Sequence, residues 1–270
     1  MSAKNKEASQ PKFYRLLGHP FVFSVLEKDK MVSEPLTKQA IQAYQLGQEP
    51  RYSFAPGTTY HLNVSHYLRT LIGTVERIEQ VPTFLKRFPN SKFFTENNIT
   101  LHKWVNYHYT NFLIMSVSLY DISLLLTNEV FILGIEPRKC NEKSVAKHEL
   151  VKETSVKVSL DNLAQAIDEY RTPRHHFVHR GYAPSMGFMD KLDDYDFMQK
   201  TEKELGIEPP SNDSIGLLSN PIILRDLYKT ERRKLITEIE QKTKTLVDLL
   251  FELFSSQKQI YDSVSKKWEP

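Results

Sequence analysis

The residues best suited to chemistry lie in one stretch, Thr172-Pro173-Arg174-His175-His176-Phe177-Val178-His179-Arg180-Gly181-Tyr182. Arginine stays charged at any working pH and grips a phosphate through a planar fork of donors. Histidine titrates near neutrality, so it can take a proton from a hydroxyl and return one to a leaving oxygen. Together they suit cleavage of an RNA phosphodiester by its own 2′-hydroxyl. That reaction needs a base, an acid and a cation on the phosphorane, and no metal. The leading pair is Arg174 with His179; His175, His176 and Arg180 are candidate substrate contacts.

Two other chemistries compete for these residues. His175 and His179 form His-x-x-x-His, a spacing that binds zinc on a helix, but a third ligand is not evident nearby and His-Glu-x-x-His is absent. Neither a metal nor another cofactor is therefore expected. The lone cysteine, Cys140, follows Arg138 and Lys139, whose charge would lower a thiol pKa, but no His/Asn arrangement supports a nucleophile there. The structural alternative for Arg174 and His179 is a surface turn whose charges cap helices and pair with Asp168 or Glu169.

Local signals place the stretch on a helix of its own. Thr172 is a suitable N-cap, Pro173 suits the first position, and Gly181 is a natural stop. Five residues on a regular helix turn two side chains about 140° apart. Arg174 and His179 then do not converge, so either the helix is distorted near Pro173 or a second copy completes the site across a symmetric interface.

The rest of the chain reads as helical and soluble. Its 270 residues are 40% hydrophobic and 26% charged with net charge +3, which neither demands nor excludes a nucleic-acid partner. One cysteine rules out intrachain disulfides and favours a reducing compartment. Met1–Gln10 lacks the apolar run of a signal peptide. Phe112–Ile135 has spanning length, but Asp121, Asn128 and Glu129 interrupt it, so it is expected in a core and not in a membrane. The expected location is the cytoplasm.

Three regions follow: a disordered tail over 1–12, an N-terminal extension over 13–57 and a helical domain over 58–265. In the extension, Pro20–Leu26 reads as a strand or extended arm, and Ser33 caps a short helix ending at Gly47. Helices are predicted over Thr58–Gln80, Thr100–Leu133, Ser159–Arg171 and Ile222–Val264, with Pro82 ending or kinking the first. Arg51–Gly57 and the Pro209-Pro210 region read as loops, and the acidic group Asp190–Asp196 as a solvated face. His102 and His108 are expected as hydrogen-bonded core or interface residues. The fold class is all-α, a bundle of long antiparallel helices.

Arg174-His175-His176-Phe177-Val178-His179, set in that helical plan, resembles the R-x(4–6)-H motif of the HEPN superfamily. The likeness covers roughly Thr58–Val264 in architecture and six residues in motif. It implies a dimeric, metal-independent ribonuclease, of a kind often found in toxin–antitoxin, phage-defence and RNA-guided systems. It also implies Arg174 and His179 as the catalytic pair, His175 as the polar residue after the arginine, RNA as partner, and an antitoxin or other protein as a further one. Some members end the motif in His-x-Tyr; here the order is His179-Arg180-Gly181-Tyr182, so Tyr182 takes no role from it. The competing function is a non-catalytic helical module that binds RNA, nucleotide or protein.

Overall fold

The computed structural model describes residues 11–49, 52, 54–89, 92–206 and 221–268. Among the described residues nine α-helices appear in order: α1 (Phe13–Leu17), α2 (Pro20–Gln45), α3 (Pro56–Lys86), α4 (Lys92–Glu96), α5 (Leu101–Val130), α6 (Glu149–Lys152), α7 (Ser155–Arg180), α8 (Phe188–Leu205) and α9 (Pro221–Ser265). No strand occurs among the described residues, in keeping with an all-α chain. The long helices α3, α5, α7 and α9 match the four apolar periodicities of the sequence.

Two compact units divide the chain. The first comprises Met1–Glu79, Met115–Asp168 and Lys244–Pro270; the second comprises Gln80–Ile114 and Glu169–Thr243.

In the first unit, the stretch expected as a strand is the opening of α2. His19 supplies the cap, its Nδ1 accepting the Phe21 N–H at 3.0 Å, and Pro20 occupies the first helical position. Phe21, Val22 and Val25 are fully buried, a helical and not an alternating spacing. The helix runs on through Ser33, which is therefore not an N-cap, and ends as expected before Gly47, at φ +65°. Of the expected tail, residues 1–10 lie outside the described residues, while the Lys12 and Phe13 amides donate to Glu79 at 2.7 and 2.9 Å.

The core of this unit is closed by α9. Phe254 and Tyr261 are fully buried and meet the Phe21 ring at centroid distances of 5.5 and 5.6 Å. Tyr261 Oη lies 3.1 Å from His61 Nδ1, and Gln257 Nε2 donates to Thr127 Oγ1 of α5 at 2.9 Å. Asp29, nearly buried, pairs with Arg69 of α3. The apolar helix α5 is long and apolar enough to cross a membrane, yet 61% of its most apolar window is buried within the protein, as in a core helix.

His19 makes this unit sensitive to pH. Burial, and then the nearby Lys258 charge, lower its pKa from 6.5, and its Nδ1 must stay unprotonated to cap α2. Its Nε2 lies 3.0 Å from Ser255 Oγ, which fits a ring protonated on that nitrogen alone. The unfolded chain takes up this proton first. Stability is therefore full above about pH 6.5 and is lost as pH falls towards the folded-state value. Urea midpoints are expected to drop between pH 7.5 and 5.5, with a flatter dependence in His19→Asn, which keeps a capping oxygen without the titration.

The second unit is built on Val81, Leu85, Val105, Phe112, Tyr170, Leu192 and Ile239, all buried. Pro82 does not end α3, which continues to Lys86. Thr100 starts α5 by accepting the Lys103 N–H on Oγ1 at 3.2 Å. Phe112 meets Tyr170 edge to face at 5.4 Å, joining α5 to α7. Glu169 of α7 pairs with Lys242 of α9, and Lys86 of α3 with Glu240 of α9. The Pro209-Pro210 loop lies outside the described residues.

Candidate active site on α7

The motif sits on the last two turns of a single helix. Ser155–Arg180 is continuous, so Thr172 is an interior residue and not an N-cap, and Pro173 lies within the helix. Proline lacks the N–H that would bond the Glu169 carbonyl, a loss that usually ends a helix. Here the packing on either side carries α7 onward: Ile167 and Tyr170 are buried before Pro173, and Phe177 is half-buried after it. Gly181 stops the helix as expected, at φ +69° with its N–H on the Phe177 carbonyl at 3.0 Å.

The burial pattern fixes which way each site residue faces. Leu160, Leu163, Ile167 and Tyr170 form the buried stripe of α7, and Arg174 and Phe177 extend it at the same three- and four-residue spacing. Arg174 is half-buried, and its Nε is shielded from solvent with no hydrogen-bond partner. His175, His179 and Arg180 are exposed, His176 is half-buried, and Val178 is 48% exposed. The rings of His175 and His179 stand 4.6 Å apart, tilted by 47°, one turn from each other. His175 and His176 are 6.3 Å apart. The helix thus brings His175 and His179 together and turns Arg174 inward, away from both. Among the described residues, no group of three His, Cys, Asp or Glu side chains is placed to hold a metal ion.

Other polar residues behave differently from expectation. Glu169 is taken by Lys242 and so does not pair with the motif. The acidic face is not simply solvated: Asp190 accepts Ser185 Oγ and the Met186 N–H, both at 2.8 Å, and stands 3.7 Å from His102 Nε2. Asp193 is 3.9 Å from the same nitrogen and 3.5 Å from Tyr228 Oη. No local signal links His102 to carboxylates nearly ninety residues away, so this cluster was out of reach of sequence reasoning. His108 is held by rings: it stacks on Phe84 at 4.9 Å and meets Trp104 at 4.4 Å, while its buried Nε2 has no hydrogen-bond partner. Burial lowers its pKa. In the first unit, Cys140 departs from expectation as well. Burial and then the Glu129 charge raise its thiol pKa, so the adjacent basic residues do not activate it.

Comparison with known proteins bears on this helix directly. The family model of the Cthe2314-like HEPN proteins matches residues 62–214, more than half of the chain and the whole of the motif. The chain belongs to the HEPN family. The matched span of this HEPN protein runs from within α3 to beyond α8, so it contains α5 and α7 entire and leaves α2 and α9 outside. No curated protein and no solved structure matches the chain.

Proposed function

We propose that this HEPN protein is a metal-independent endoribonuclease whose active site joins Arg174 and His179 across a homodimer. One observation carries the reading: the R-x(4)-H residues lie on one unbroken helix, with the arginine turned inward and the histidine outward. A second copy supplies the missing half of the constellation.

In the proposed reaction one His179 takes the proton of the 2′-hydroxyl as its oxygen attacks the adjacent phosphorus. Arg174 holds the non-bridging oxygens, where negative charge grows in the phosphorane. The partner's His179 gives a proton to the departing 5′-oxygen. The P–O5′ bond breaks, leaving a 2′,3′-cyclic phosphate and a 5′-hydroxyl. His175, His176 and Arg180 contact the strand beside the cut, with His175 also limiting the rotation of the His179 ring.

The proposed setting is the cytoplasm, in toxin–antitoxin or phage-defence systems, with an antitoxin or other protein partner restraining the cleft. The test is incubation of labelled RNA with the protein. Cleavage is expected to survive excess chelator and to yield cyclic phosphate ends. Loss of cleavage on chelation, or linear 3′-hydroxyl ends, overturns the mechanism. RNA recovered intact after salt-sensitive binding would instead identify a non-catalytic binding module.

A further inference from the structure

In the second unit, Glu169 of α7 pairs with Lys242 of α9, and Tyr170, the next residue of α7, feels the charge of Glu238, one turn earlier on α9, so the two helices run antiparallel there. Lys242 Nζ also stands 5.9 Å from the centre of the Tyr170 ring. Both helices rise about 1.5 Å per residue. Ten residues beyond Glu169 is His179, and ten residues before Lys242 is Arg232. The segment around Arg232 is therefore level with His179.

The cations at that level differ from those beyond it. Lys242 and Lys234 are held in ion pairs by Glu169 and Glu231, as Lys86 is by Glu240. Lys229, Arg232 and Arg233 form no ion pair among the described residues, and their spacing of three and four puts them on one side of α9. Arg232 is half-buried, and its Nε is shielded from solvent without a hydrogen-bond partner. Burial and the adjacent Arg233 charge push its pKa down. A partly desolvated guanidinium beside another cation is unfavourable until an anion meets it. Arg233 also lines an open groove of about 590 Å³ with Thr230, Lys234 and Thr237 as donors at one end and Glu238, Gln241 and Lys242 at the other.

We propose that Lys229, Arg232 and Arg233 form a phosphate-binding strip that holds the backbone of the RNA strand at the level of His179. This rests on the ribonuclease reading for the identity of the strand. The strip spans about 6 Å of helix, enough for one or two phosphates, with the arginines gripping through their forks and Lys229 acting as a point charge.

The test uses the wild-type protein and a labelled single-stranded 2′-O-methyl oligonucleotide, which lacks the attacking hydroxyl and stays whole. Affinity is measured by fluorescence anisotropy from about 50 to 200 mM salt. Each phosphate neutralised on a single strand adds about 0.7 to the steepness of log K against log salt. Lys229→Ala/Arg233→Ala, both exposed, is expected to flatten that slope by about 0.7–1.4 and to weaken binding most at low salt. Arg232→Lys is expected to keep most of the slope while weakening binding, because it keeps charge and loses the fork.

An unchanged slope in the double variant, or no binding by the wild type, overturns the strip. The two proposals fail separately. A flattened slope with no cleavage of ordinary RNA by the wild type keeps the strip and removes the ribonuclease; intact cleavage with an unmoved slope does the reverse.

Discussion

His179→Ala is expected to slow RNA cleavage by about 10²–10⁴-fold, the usual contribution of a positioned acid or base. Affinity for the uncleavable oligonucleotide should change little, since the histidine acts on protons and not on the bulk of the backbone. Arg174→Ala is expected to cost about 10²–10³-fold through loss of charge stabilisation at the phosphorane. Arg174→Lys should not restore it, because the fork is lost. Mixing separates a shared site from a self-contained one. Because the cleft takes His179 from both protomers, one as base and one as acid, a heterodimer of wild-type and His179→Ala chains is expected to cleave about as slowly as the His179→Ala homodimer. Half the wild-type rate in purified heterodimers would overturn the shared site. Full activity in His179→Ala would overturn the mechanism itself.

Phe254→Ala is expected to be the most destabilising of the substitutions considered, by about 3–5 kcal/mol. The side chain is fully buried in the first unit, against Phe21 at 5.5 Å and His19 at 5.8 Å. Its removal takes away apolar transfer energy and opens a cavity between α2 and α9 that neither helix can close alone. Tyr44→Ala, at a side chain 85% exposed on the far end of α2, should stay within about 0.5 kcal/mol. Chemical denaturation of both variants checks the pair. Equal midpoints would show that the α2–α9 contact does not anchor the unit.

The helices that bury a continuous apolar stripe were legible in the sequence, because their period survives along α3, α5, α7 and α9. The Gly181 stop was legible because only a left-handed residue fits there. The α2 opening was not. Pro20–Leu26 is rich in aromatic and β-branched residues that suit a strand, and what makes it helical is a histidine cap and burial against residues more than two hundred positions away. The prolines misled for a related reason. Pro82 and Pro173 each remove one backbone hydrogen bond, which local rules read as a boundary, whereas flanking core contacts keep α3 and α7 going. Arg174 and His179 could be found by type and spacing, and their divergence followed from helical period alone. The basic bias of α9, with Arg225, Lys229, Arg232 and Arg233, is visible in the sequence; which of its cations are held in ion pairs depends on partners that only the structure brings together.

The α9 closure of the first unit bears on how the protein is made. Phe21 is synthesised more than two hundred residues before its buried partners Phe254 and Tyr261. Contacts of such sequence separation carry a large loop-closure cost and form late. The motif at 174–179 is translated some eighty residues before that core can be completed. A nascent chain therefore holds the apolar face of α2 uncovered until α9 is made, and the first unit closes only after Arg174 and His179 have been synthesised.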